Sequence, residues 1–414
     1  MGLPGNLRPA AYALAILADS AFGSGASARI VLADQPIDSA GIDNIVLVVD
    51  ESVVSDVFDQ QSSVRIEPDL GALQPLRYDF SPAASGSNCS ADSNRILMVG
   101  PRQDHLKADL NVYPSIWEYA KRAGYRTVYI DEQNGMDVGA EHVMEGERDL
   151  IDQVIVAGTE PVADRDGQAG AKIDELLRNG DRHFIYVNKV GAHFPRDSKY
   201  PGRVNTYRPT LGVPGNPLLA HKAGQPHGLF ESISESPGGE AFKNSYRNAV
   251  EWNLNSFFAA LQDISRADRS VVIYTSDHGQ NVFRENGHTN THCSSAEGAA
   301  RSEGRVPVTI FTAAQRWTAV LRAASSRNAG RVSHFNLYSS VIQFMGFPEA
   351  RMQDPRDTSL WDASPSPAGL KTSTGIRARF GQPVPWLPLC KAGEYMALDG
   401  RCGRPALSSA KTNN

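Results

Sequence analysis

The sequence predicts an α/β fold, a three-layer sandwich in which a mainly parallel central sheet carries helices on both faces. Two observations predict it. Short, unbroken apolar runs rich in β-branched residues recur along the chain, as strands covered on both faces require. Segments with apolar residues at helical spacing stand between them, and strand–helix alternation of this kind builds parallel sheets.

The first run is Asn44–Val49 (NIVLVV). Pro114–Ala123 follows as a helix, with Pro at its start and Gly124 as its stop. Thr127–Ile130 is the second strand, Ala171–Leu177 a helix, and His183–Asn188 (HFIYVN) a third strand. Phe242, Tyr246, Val250, Leu254, Phe257 and Leu261 mark one face of a long helix. Ser270–Thr275 (SVVIYT) and Val306–Phe311 are further strands, and Ala313–Ala323 and Asn336–Met345 are closing helices. Asp131–Leu150 and Pro195–Gly239 read as long irregular segments, the second rich in Pro, Gly, Ser and His. Loops of that length inside a compact domain are usually functional. The pattern divides the chain into an extension (1–40), one catalytic-sized domain (41–350) and a Pro/Ser-rich tail (351–414) that is partly irregular.

With 414 residues, 41% hydrophobic and 21% charged, the chain has ordinary globular composition. A net charge of −5 gives no basic surface for nucleic acid. No run reaches the ~20 apolar residues of a membrane-spanning helix. Ala10–Ala18, preceded by Arg8 and followed by Ala26-Ser27-Ala28, reads either as a weak export signal or as a short surface helix. The four cysteines, Cys89, Cys293, Cys390 and Cys402, form no C-x-x-C pair, which argues against a cysteine metal site. Cys390 and Cys402 are close enough in sequence to close a small bridged loop.

In parallel sheets the ligand crevice lies at the carboxyl ends of the strands. Asp50-Glu51-Ser52 follows the first strand, Lys189 to Pro195 (KVGAHFP) the third, and Ser276-Asp277-His278-Gly279 the strand Ser270–Thr275. Glu285, His288 and His292 come soon after. Taken singly, each has an ordinary explanation as a cap, turn or surface residue; together they gather carboxylates and imidazoles at one edge. Such oxygen and nitrogen donors without cysteine suit zinc, with manganese second. Lys189 there reads either as positive charge that binds substrate or as a solvated strand-end lysine. The segment Asn88–Gly100 runs from a small-residue loop into a helix and places Ser90 near the helix N-terminus. Ser90 there is either a cap or a hydroxyl whose alkoxide the helix end stabilises.

Taken together these pieces resemble the alkaline-phosphatase/sulfatase superfamily, from about Asn44 to Phe311. NIVLVVDES resembles the first metal motif of bacterial phosphoethanolamine transferases and lipoteichoic-acid synthases, and YTSDHG the second. The resemblance implies an alkaline-phosphatase-like fold with Glu51, Asp277 and His278 as ligands of a divalent metal. SADSNRILMVG resembles the nucleophile segment, which implies Ser90 as nucleophile beside that metal. KVGAHFP implies a catalytic or substrate-binding His193. ENGHTNTH is similar to a histidine segment whose spacing is off by one, so that His292 matches better and His288 second. KNSYRNAVEWNL resembles a helix beside the site.

The residues after Ser90 lack the Pro and Arg that direct formylglycine formation in sulfatases. An unmodified serine suits a phospho-enzyme instead. The resemblance thus implies a metal-dependent phosphotransferase. Its partners would be a phospholipid or other phosphodiester donor and an envelope glycan or lipid acceptor. Its place would be the periplasm or cell envelope, at the outer face of the inner membrane, with peripheral membrane contact; the cytoplasm is the alternative. Rival functions are a sulfatase-like hydrolase and a non-catalytic binding protein. The same assignment brings Cys89 and Cys293, which flank Ser90 and His292, within reach of a disulfide.

Overall fold

The structure, a computed structural model, describes residues 36, 42–55, 70–133, 143–158, 160–204, 206–211, 239–261, 267–282, 291–347, 358–362, 364–366, 368–375 and 383–404. The Ala10–Ala18 run, Glu285, His288 and most of the Pro195–Gly239 segment lie outside them.

The chain opens with β1 (Asn44–Asp50), every residue of which is buried. Next come β2 (Arg77–Asp79), β3 (Ala83–Ala84) and helices α1 (Ser90–Val99), α2 (Leu106–Val112) and α3 (Ile116–Arg122). β4 (Arg126–Asp131), β5 (Gln153–Val156), α4 (Arg165–Arg178) and β6 (His183–Asn188) follow. The long helix α5 (Gly239–Ala260) leads to β7 (Ser270–Ser276), β8 (Arg305–Val306), β9 (Val308–Phe311), α6 (Gln315–Asn328) and α7 (His334–Phe344). The run Val306–Phe311 is therefore two strands, split at Pro307, which has no N–H for a ladder.

Seven strands form one sheet in the order β2-β9-β7-β1-β6-β4-β5. β1, β4, β5, β6 and β7 run parallel, and β9 runs antiparallel to both β7 and β2. Alternation along β1 sorts its side chains between two cores. Ile45, Leu47 and Val49 pack with Leu97 of α1, Trp117 of α3, Leu321 of α6 and Val341 of α7. Val46 and Val48 pack with Ile173 of α4 and Leu254 and Phe257 of α5. That is the expected three-layer arrangement.

The segment after residue 368 forms small antiparallel pairs, β10 (Leu370–Ser373) with β11 (Trp386–Cys390) and β12 (Tyr395–Met396) with β13 (Cys402–Gly403). A Cys390–Cys402 disulfide closes this unit. β10 also braces the loop before Ser90: Ser373 N–H donates to Gly86 O (3.1 Å), and Asn88 N–H donates to Ser373 O (3.0 Å). Among the described residues no helix is long and apolar enough to cross a membrane.

Candidate active site

Register places the site. β1 is flanked by β6, with Val49 opposite Asn188, and by β7, with Asp50 opposite Ser276. The residues that follow these three central strands therefore emerge side by side: Glu51, Lys189 onward, and Asp277-His278. One ligand atom from each of Glu51, Asp277 and His278 lies within 4.8 Å of the other two, and all three residues are buried.

Ser90 begins α1, with Cys89 in extended conformation as the cap. Its Oγ stands 3.3 Å from Glu51 Oε2 and 3.1 Å from His278 Nε2. The positive end of a ten-residue helix thus stands behind the serine hydroxyl. The expected Cys89–Cys293 disulfide is formed and ties this loop to the residue after His292. His292 stacks on His278 with ring centroids 4.7 Å apart. His193 is exposed at the rim, with Nδ1 2.7 Å from Phe194 O.

Backbone and side chains orient the acidic groups. Asp277 Oδ1 accepts from Ser52 N–H (3.0 Å) and His278 N–H (2.6 Å). Ser52 Oγ donates to Glu51 Oε1 (2.6 Å) and accepts from Gln280 Nε2 (2.7 Å). Gln133 Nε2, just past the end of β4, donates to Glu51 Oε2 (3.0 Å). His278 Nδ1 lies 2.7 Å from Gly279 O, and donating its proton there leaves the Nε2 lone pair facing Ser90 and the carboxylates. Close beneath, Gly191 approaches with φ +48°, and a Cβ on it would stand 2.3 Å from Asp50 Oδ1 and 2.6 Å from Glu51 O. Only glycine fits there.

The electrostatics favour a cation at this cluster. Burial raises the Glu51 carboxyl, but the fields of His193 and His278 outweigh it and hold the group well below the usual range. Asp277 goes the other way: burial, then the Glu51 charge, push it up to about 7. Its Oδ2 is buried without a hydrogen-bond donor among the described residues. Two carboxylates and an imidazole nitrogen converge with one oxygen left unsatisfied, and a divalent ion fits that donor set. Ser90 Oγ would border it.

Lys189 requires a correction. It was expected to face substrate, but it is fully buried, with Nζ 2.5 Å from Asp50 Oδ2 and 3.4 Å from Asp166 Oδ2. Asp166 in turn accepts from the N–H groups of Val190 and Gly191. The ammonium is committed to an internal ion cluster that fixes the loop after β1 against the loop after β6. Gln133, Ser52 and Gln280 were not singled out by sequence, because neutral polar residues carry no motif until the fold brings them to Glu51. His334 is buried beneath the nucleophile loop: Nδ1 accepts from Gly86 N–H (3.1 Å), and Nε2 lies 3.1 Å from Thr275 Oγ1. Burial pushes its pKa down to about 3, so it is neutral.

Solved structures share this architecture. The C-terminal periplasmic domain of EcEptC from Escherichia coli aligns over 86% of this chain and 93% of its own, at 17% identity and TM-score 0.60. The same domain in complex with Zn aligns equally well. The integral membrane lipooligosaccharide phosphoethanolamine transferase A from Neisseria meningitidis aligns at 18% identity and TM-score 0.58, over 83% of this chain and 62% of that longer one. A protein in the alkaline phosphatase superfamily from Vibrio parahaemolyticus aligns at 12% identity and TM-score 0.54, over 95% and 91%. At these identities the likeness establishes the alkaline-phosphatase-like fold. No curated protein matches the chain. The family model described as Sulfatase matches residues 43–347, and the chain belongs to that family of transferases and hydrolases.

Proposed function

We propose that the protein is a metal-dependent phosphotransferase that moves a phospho-substituent from a phosphodiester donor, through Ser90, to an acceptor hydroxyl. The observation that carries this reading is the position of Ser90 Oγ, 3.3 Å from Glu51 and 3.1 Å from His278, at the edge of a convergent ligand set. Glu51, Asp277 and His278 would hold zinc, or manganese, beside Ser90. Such an ion supplies Lewis-acid stabilisation of charge on the phosphoryl oxygens and favours an ionised neighbouring hydroxyl.

The chain's own residues do the rest. Ser90, deprotonated, attacks phosphorus; the Oγ–P bond forms and the bond to the donor alcohol breaks. His193, protonated and at the rim, gives its proton to the departing alcohol oxygen. The acceptor hydroxyl then returns a proton to His193 as its oxygen bonds phosphorus, and the Oγ–P bond breaks to restore Ser90. His292, stacked on His278, lines the same space. Water in place of the acceptor makes the same site a phosphodiesterase.

Phosphatidylethanolamine is the proposed donor and an envelope glycan or lipid the proposed acceptor, with the periplasm as the compartment. Two observations support this: the similar structures include periplasmic domains, one of them named for phosphoethanolamine transfer, and the chain holds two disulfides, which suit an oxidising compartment. The test is intact-mass spectrometry of zinc-loaded protein after incubation with phosphatidylethanolamine. The expected result is a phosphoethanolamine adduct on Ser90, absent in Ser90→Ala. No adduct in the wild type, with zinc bound and donor present, would count against the reading.

A further inference from the structure

The loop after β6 carries two buried cations that the proposed chemistry has not used. Arg196 is 1% exposed, and its Nε and Nη1 have no hydrogen-bond partner among the described residues. No described carboxylate lies in ion-pair range of it. Its neighbour Asp197 turns one oxygen toward Tyr200 Oη (3.4 Å). The guanidinium instead lies over two rings, 4.2 Å from the centroid of Phe242 and 5.3 Å from that of Tyr246. Tyr246 is fixed to the metal loop, its hydroxyl donating to Ser52 O (2.8 Å) and accepting from Val54 N–H (3.0 Å). Arg196 is therefore stacked on a ring anchored one residue from Glu51.

Lys199 is 7% exposed, and its N–H closes a turn onto Arg196 O at 2.9 Å. That turn keeps Lys199 beside Arg196 on the loop after β6, and burial pulls its pKa down to about 8. No described carboxylate lies in ion-pair range of Lys199. Two buried cations without an ion-pair partner among the described residues are costly to a fold. Both occur on the stretch that begins with His193, beside an active site that must take an anion.

We infer that Arg196 and Lys199 form an anion subsite, beside the Glu51–Asp277–His278 cluster, that binds a phosphate oxyanion of the substrate. This supplies the positive charge first sought at Lys189. The identity of the anion rests on the phosphoryl-transfer reading; the existence of the subsite does not. An apolar side chain at either position removes the charge-assisted hydrogen bonds to the anion, which weakens its binding by about tenfold or more.

The test uses full-length, zinc-loaded protein carrying Ser90→Ala, so that nothing turns over. Inorganic phosphate, methyl phosphate and diethyl phosphate are titrated calorimetrically into this parent and into versions with Arg196→Met, Arg196→Lys or Lys199→Met. The expected result is binding weaker by about tenfold in the Met variants, with partial recovery in Arg196→Lys. Loss centred on diethyl phosphate assigns the subsite to the diester donor, and loss centred on methyl phosphate to a phosphate-bearing acceptor. Thermal melts without phosphate provide a second readout: Arg196→Met is expected to melt at or above the parent, since a buried charge with no ion-pair partner among the described residues has been removed. Anion binding within twofold of the parent in both Met variants would overturn the proposal, whether or not Ser90 ever forms an adduct.

Discussion

Asp277→Asn tests the cation site without reference to turnover. Asp277 is 1% exposed, its Oδ2 lacks a donor among the described residues, and its carboxyl is pushed to about 7 by burial and by Glu51, against an ordinary 3.8. In metal-free protein the unfolded chain releases this proton near pH 4, whereas the folded chain holds it until about pH 7. The folded state binds more protons across that window. The contribution of Asp277 to metal-free stability therefore falls as pH rises from about 4 to 7, and stays at the lower level above it. The whole effect is on the order of 4 kcal/mol at pH 8.

Asparagine has no proton to lose, and its amide can donate to the Glu51 carboxylate that Asp277 now crowds. The metal-free variant is expected to be the more stable protein at pH 8, by up to that amount. With roughly 2.1 cal/mol/K of unfolding entropy per residue, the gain is about 4 to 5 °C in Tm. It should vanish near pH 3.5, where aspartate is largely protonated in both states. Zinc should reverse the order. The wild type gains about 4 kcal/mol at a thousandfold excess over Kd, and the variant, short of one anionic ligand, gains little. Scanning calorimetry in chelator and in zinc, at both pH values, measures all of this. A metal-free variant less stable than the wild type at pH 8, together with equal stabilisation of both proteins by zinc, would refute the reasoning.

Lys189→Met leaves Asp50 and Asp166 buried and unpaired, and a loss of about 3–5 kcal/mol in unfolding free energy is expected from chemical denaturation. Gln133→Ala removes one donor to Glu51 without touching the core, and zinc affinity measured by chelator competition should fall by about tenfold or more. The two disulfides should differ in worth. The Cys89–Cys293 bridge spans 204 residues and the Cys390–Cys402 bridge 12, so chain-entropy values are about 5 and 3 kcal/mol. Denaturant melts of the paired Ser variants check the order, and only loss of the longer bridge is expected to slow Ser90 adduct formation.

The central fold was legible because parallel strands covered on both faces must be continuous apolar runs, and Asn44–Val49, His183–Asn188 and Ser270–Thr275 are such runs. The edge strands were not. β2 is three residues long and β5 four, too short for a period to declare itself. Pro307 hides a break inside what reads as one run. The pairs after residue 368 are held by a disulfide and by contacts to the Ser90 loop, which local pattern does not encode. Asp277 and His278 were legible for a different reason: a parallel sheet puts strand ends together, so charged residues placed just after strands converge whatever the intervening loops.

That same rule explains the misreading of Lys189. Position in sequence says that a residue leaves a strand at the ligand edge; it does not say on which side of the edge the side chain turns. Glu51 turns outward to Ser90, whereas Asp50, its neighbour, turns inward beneath it. Lys189 follows Asp50, because a buried carboxylate without a cation would be worse than a buried pair. Two residues decide that choice, Asp166 from α4 and Gly191, which lets the loop close against Asp50. Neither is near Asp50 in sequence. On the proposed reading, the positive charge for an anionic substrate is then left to the residues beyond the turn, where Arg196 and Lys199 are buried without a carboxylate in ion-pair range among the described residues.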